Sequence, residues 1–207
     1  MKMKALTAFL FLIVTSTQVL AARPSIGGLD AKLDTLINDL VVCSSNSPTR
    51  FVDNGDGTIC DHQTGLMWEK KNAADGTRDL NNPNDVDNIY TWKNTADGDD
   101  TNPDGTAFTE FLARLNGEIA GSRPSEQLAG YSDWRLPTSA ELQTILDCNF
   151  SPCINPVLGP TAASVYWSST SRANSPNSAW GVFFDDGFVV SGGKSSDGHV
   201  RAVRGGL

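Results

Sequence analysis

The stretch "GYSDWRLPTSAELQTILD", Gly130–Asp147, decides how the chain is read. Its second half follows local rules. Thr138 with Glu141 three residues on is a capping box, and Pro137 and Leu142 occupy the staple positions around it. Leu142, Ile145 and Leu146 then fall on one face of a helix. The first half sets a tryptophan and an arginine, Trp134 and Arg135, just ahead of Leu-Pro. Whether they are reactive groups or scaffold governs the functional reading.

The surroundings limit the choices. Lys2 and Lys4, an apolar run from Ala5 to Val14, and a small pair at Val19 and Ala21 form a secretory leader over residues 1–21. The apolar run is too short to span a bilayer. The whole chain carries 16 basic and 24 acidic residues, a net charge of −8. Removing the two leader lysines makes it −10. Such a chain repels nucleic acid and anionic membranes at long range. All four cysteines, Cys43, Cys60, Cys148 and Cys153, lie in the part expected to be exported, where thiols oxidise. Of three pairings, sequence proximity favours Cys43–Cys60 with Cys148–Cys153. A metal site is the rival, since "CNFSPC" brings two thiols close, with His62 and His199 as the other soft ligands.

After the leader, Leu29, Leu33, Leu36 and Leu40 form a heptad seam about two repeats long. It reads either as a neck joining copies into a homo-oligomer or as an amphipathic helix on its own domain. Residues 22–47 are assigned to this neck or linker and residues 48–207 to one domain. "RFVDNGDGTICDHQTGLMWEKK" gives three short strands joined by Asn-Gly-Asp-Gly and Thr-Gly turns. A polar insertion over 72–107, broken by "NIYTW", is expected to be functional or loosely held. A helix follows at "TAFTEFLARLNG", with Phe108, Phe111, Leu112 and Leu115 on one face and Gly117 as its cap. The C-terminal third is again strands, with a hairpin at Asp186-Gly187. Strands, two helices and further strands make one α+β domain.

Five motifs in this order, "RFVDNGDGTICDHQTGLMWEKK", "DGTAFTEFLARLN", "AGYSDWRLPTSAELQTILD", "VYWSST" and "HVRAVRGG", resemble the Lcl-type C-terminal domain over roughly residues 50–206. That bacterial family, long a domain of unknown function, includes the C-terminal domains of collagen-like adhesins. The resemblance implies a C-type-lectin-like fold, shared with the formylglycine-generating enzymes, in which terminal strands pair, two helices flank them and loops display the binding surface. In that frame "DWRLP" enters the second helix at the centre of the fold. Trp134 and Leu136, alternating in an extended segment, face the core. Arg135 points the other way, towards a carboxylate. Trp134, Arg135, Thr138 and Glu141 are then structural.

Catalysis finds little support. The related oxidases use two thiols near the C-terminus, whereas Cys148 and Cys153 follow the "RLPT" helix directly. Two histidines without partners make no acid–base system. No other cofactor is expected besides calcium, for which Asp100, Asn102 and Asp104 open an EF-hand-like loop. Glu110 falls one position short of the closing acid, and a hydrated cluster of Asx turns is the alternative. Trp68, Trp134 and Trp167 belong to the core. Trp92, in the polar insertion, and Trp180, ahead of the hairpin, are placed as a surface platform for ligand. The sequence thus describes an exported, non-catalytic binding module, periplasmic, cell-surface or extracellular. The resemblance to the collagen-like adhesins implies a glycan as its ligand, sulfated glycosaminoglycans included. A structural or protein-binding part of a surface assembly is the alternative, and a redox enzyme the weaker one.

Overall fold

The computed structural model describes residues 43, 47–94, 102–119 and 127–205. The leader, the leucine seam and Asp100 lie outside the described residues. The architecture is α+β, and its sheets are antiparallel. Strands β1 (Phe51–Asp53), β2 (Thr58–Asp61) and β3 (Leu66–Glu69) form a meander, closed on its far side by β9 (Val203–Gly205) in the order β1-β2-β3-β9. Strand β4 (Tyr90–Thr91) pairs with β8 (Asp197–Gly198). A third sheet has the order β5 (Val165–Arg172), β6 (Ser175–Phe183), β7 (Phe188–Gly193). Helix α1 is π-helical over Ala107–Leu112 and α-helical over Ala113–Leu115; helix α2 is Ser139–Thr144.

The central sheet is buried on both faces, so β2 and β3 read as continuous buried runs instead of alternating ones. The period-2 alternation instead sorts their side chains between two cores. Cys60 and Met67 join Tyr90, Trp92, Phe111, Leu115, Trp134 and Leu136 on one side. Ile59, Leu66 and Trp68 join Leu142, Ile145, Tyr166, Val182 and Val203 on the other. Helix α1 therefore serves the first core and α2 the second. The turn between β1 and β2 needs left-handed backbone at Gly55 and Gly57, which glycine adopts freely.

The opening stretch is scaffold. Thr138 accepts from the Glu141 amide and the Glu141 carboxylate accepts from the Thr138 amide, so the capping box is complete. Arg135 exchanges backbone hydrogen bonds with Val203, fastening the segment to β9. This buries Trp134 and Leu136, while the Arg135 guanidinium turns outward. It grips Glu141 in two bonds of 2.8 and 2.7 Å and also reaches the Gly205 carbonyl. That fork holds the Glu141 carboxyl below its usual range. Helix α2 is shorter than its hydrophobic spacing predicts. It ends at Thr144, and Leu146 instead bridges to Ile154.

Two disulfides, Cys43–Cys60 and Cys148–Cys153, pair all four cysteines, as sequence proximity favours. Disulfides fit an oxidising compartment. No helix among the described residues is long and apolar enough to cross a membrane.

The middle of the polar insertion is woven into the protein: Asn84, Asp85, Val86, Asn88, Tyr90, Trp92 and Lys93 are all buried. Beside it stands a buried charge cluster. Lys71 Nζ lies 2.8 Å from Glu69 Oε1 and donates to the Pro83 carbonyl. Arg201 donates to the carbonyls of Glu69 and Leu158 and to Thr161 Oγ1. Burial lowers the pKa of Lys71 and Arg201 and raises that of Tyr90. Enclosed on all sides, these groups hold β3 to the Arg201–Ala202 segment.

Candidate functional site

A polar cleft of about 380 Å³ opens where β4 meets the head of α1. Its walls come from distant parts of the chain, joined by short-range chemistry. The amides of Trp92 and Lys93 both donate to the Lys194 carbonyl, which fixes the loop bearing Ser195 beside β4. On the other side the Thr91 amide donates to Thr106 Oγ1 and the Thr106 amide to Thr91 Oγ1, a reciprocal pair that docks α1. Gly105 makes this approach feasible. A Cβ there would stand 2.4 Å from the Lys93 nitrogen, the Thr91 oxygen and the Trp92 carbonyl carbon, all backbone atoms. The buried Trp92 ring underlies the assembly. It packs edge-on against Phe108, carries Lys194 Nζ 3.9 Å over its face, and donates through Nε1 to the Ser168 carbonyl.

Around the cleft stand Thr91, Lys93, Asn94, Asp104, Thr106, Thr109, Glu110 and Ser195. The Asn94 amide donates to Asp104 Oδ1 at 2.8 Å, leaving the rest of that carboxylate's acceptor capacity. Thr109 Oγ1 donates to the Gly105 carbonyl. Glu110 is half-buried, and no hydrogen bond or ion pair joins its carboxylate to a described residue. The cleft is lined by two carboxylates, an ammonium, an amide and several hydroxyls, a mix of acceptors and donors suited to hydroxyl groups.

The four calcium positions separate in the structure. Asp104 and Glu110 line the cleft, Asn102 is exposed outside its walls, and Asp100 lies outside the described residues. Among the described residues no group of three or more His, Cys, Asp or Glu could hold a metal ion. Trp92 is corrected from surface platform to core: only 3 % of it is exposed. Its place in a polar stretch concealed this: Tyr90 in β4 and Trp92 just after it, two residues apart, enter the same core. Trp180 is half-buried in β6, with the Arg172 guanidinium 5.9 Å from its ring, and takes no part in the cleft. Sequence reading missed Thr91, Lys93, Thr109 and Ser195. Thr91 and Thr109 lie in quoted stretches that gave no sign of a site, and Lys93 and Ser195 lie in none; the β4–β8 pairing and the Thr91–Thr106 contact bring the four together.

A family model described as the Lcl C-terminal domain matches residues 57–204, more than half of the chain. No curated protein matches it.

Proposed function

The chain belongs to the Lcl C-terminal domain family, and from that premise we propose that it is an exported, non-catalytic binding module that holds a neutral glycan in the cleft between β4 and α1. The observation that carries this reading is the cleft itself: Glu110, its carboxylate uncommitted to any described residue, stands with Asp104, Lys93 and four threonine and serine hydroxyls in one cavity. Carboxylates and amides in such a setting exchange hydrogen bonds with vicinal hydroxyls, and buried polar groups reject analogues that lack them. Two carboxylates against one ammonium oppose sulfate groups, so uncharged sugars fit better than the glycosaminoglycans that the family resemblance brings in.

A C-type-lectin-like fold belongs to the same reading. Support comes from the first and last strands sharing one sheet, from two flanking helices, and from the loop-rich wall that displays the cleft. The pairing of all four cysteines in disulfides supports a binding reading over formylglycine-type thiol chemistry. The test is a glycan array probed with the full chain, in calcium and in chelator, beside a Glu110→Gln variant. Binding to neutral oligosaccharides that drops sharply in Glu110→Gln supports the reading. Dependence on calcium adds a metal at Asp104 and Glu110. Binding indifferent to Glu110→Gln and Asp104→Asn removes the cleft from consideration.

A further inference from the structure

The third sheet leaves one edge open. In the order β5-β6-β7, β5 has a further neighbour, since Tyr166 bridges His199 in parallel, but no described residue pairs with the outer side of β7. That edge is apolar: Phe188 is 66 % exposed and Val189 39 %. Unpaired edges of this kind invite a further strand unless they are blunted by proline, lysine or a bulge, and Phe188–Gly193 contains none of these.

Beside the edge lies a trough. The register sets Val165, Phe183 and Phe188 in one row and Trp167, Gly181 and Val190 in the next, all on the same face. Val165, Trp167, Phe183 and Val190 wall an apolar cavity of about 300 Å³ on this face. Trp167 forms its floor, and the chain crosses tightly over that indole at Gly192 and Gly198. The rim is acidic. Asp197 lines the trough and Asp185 and Asp186 flank the hairpin tip; all three are exposed, and none forms an ion pair with a described residue.

We propose that the β7 edge and its trough bind an extended polypeptide segment carrying an apolar anchor flanked by lysine or arginine. Main-chain hydrogen bonds to β7 supply affinity, and alternate side chains of the added strand drop into the trough. Charge selects the occupant. A second copy would bring the same acidic rim and a net charge of −8 to the junction, whereas a cationic segment meets Asp185, Asp186 and Asp197 with the opposite sign. The trough shares no lining residue with the polar cleft, so the two proposals stand or fall separately.

A phage-displayed library of short random peptides, selected on the full chain, tests this. Enriched peptides are expected to carry an aromatic or β-branched residue between basic ones. Their affinity, read by fluorescence anisotropy, should fall about tenfold in Phe188→Ser, the effect of losing one anchor. Asp197→Asn should weaken binding and reduce its salt dependence. Both side chains are exposed, so the fold is retained, and an unchanged thermal melt checks this. Glu110→Gln should leave peptide binding intact. Failure to select any peptide, a consensus without basic residues, or affinity unmoved by Phe188→Ser overturns the proposal. Self-association that disappears in Phe188→Ser also overturns it, in favour of a second copy.

Discussion

Replacing Glu69 with glutamine tests the buried charge cluster most directly. Both side chains of the Glu69–Lys71 pair are removed from water, at 0 % and 2 % exposure. Glu69 Oε2 also accepts from the Ala202 amide, tying the charge pair to the segment leading into β9. Glutamine keeps the volume but leaves Lys71 charged, buried and near Arg201. Stranding one member of a buried pair costs about 3–5 kcal/mol. At about 2–4 °C per kcal/mol for a domain of this size, the melting temperature should fall by roughly 6–20 °C. The loss should also depend on pH. Burial already lowers the Lys71 pKa, and without Glu69 it drops further. A lysine whose folded pKa lies below its unfolded value gains stability as pH rises from the first to the second, so the penalty should shrink from neutral to alkaline pH. Urea denaturation of the wild type, Glu69→Gln, Lys71→Met and the double variant closes the cycle. The double variant removes Lys71 together with its partner and should cost less than the two single losses added together, by about 1–3 kcal/mol. A Glu69→Gln loss below about 1 kcal/mol, or strict additivity, would show that water or a rearrangement compensates Lys71, and the argument would fail.

Three further outcomes are expected. Gly105→Ala places a methyl group against backbone on three sides, so it should cost about 3 kcal/mol and abolish glycan binding by pushing α1 off β4; a variant with wild-type melting and binding refutes the close approach. Burial holds the His199 imidazole below its ordinary pKa of 6.5, with its Nδ1 3.0 Å from the Val86 carbonyl and with Lys71 and Asp87 acting on it in opposite senses. The unfolded chain therefore takes up the proton first, and stability should decline as pH falls through about 6.5. That slope should be flatter in His199→Gln, measured by urea midpoints, and an unchanged slope assigns it elsewhere. Replacing both cysteines of Cys43–Cys60 by serine should cost about 3 kcal/mol, against about 2 kcal/mol for Cys148–Cys153, because the first closes the longer loop; calorimetry giving the reverse order would point to native-state contacts, not loop closure, as the source.

What the sequence determined by itself is the part written in short-range rules. The capping box at Thr138 and Glu141, the hairpin at Asp186-Gly187, and the left-handed glycines after β1 depend on neighbours a few residues away. The alternation of Trp134, Arg135 and Leu136 was equally legible, because an extended chain must send successive side chains to opposite sides. The two disulfides join the cysteines that lie nearest in sequence. Tertiary structure alone decided the burial of Trp92, the burial of Lys71, Glu69 and Arg201 as one charge cluster, and the cleft. Trp92 sits among aspartates and asparagines, and local composition marks such a stretch as surface. It is buried because β4 pairs with β8, from the far end of the domain, and that pairing also brings Ser195 to Thr91 and Glu110. Long-range pairings of this kind depend on the fit of two distant surfaces, a property that neither segment carries in its own sequence.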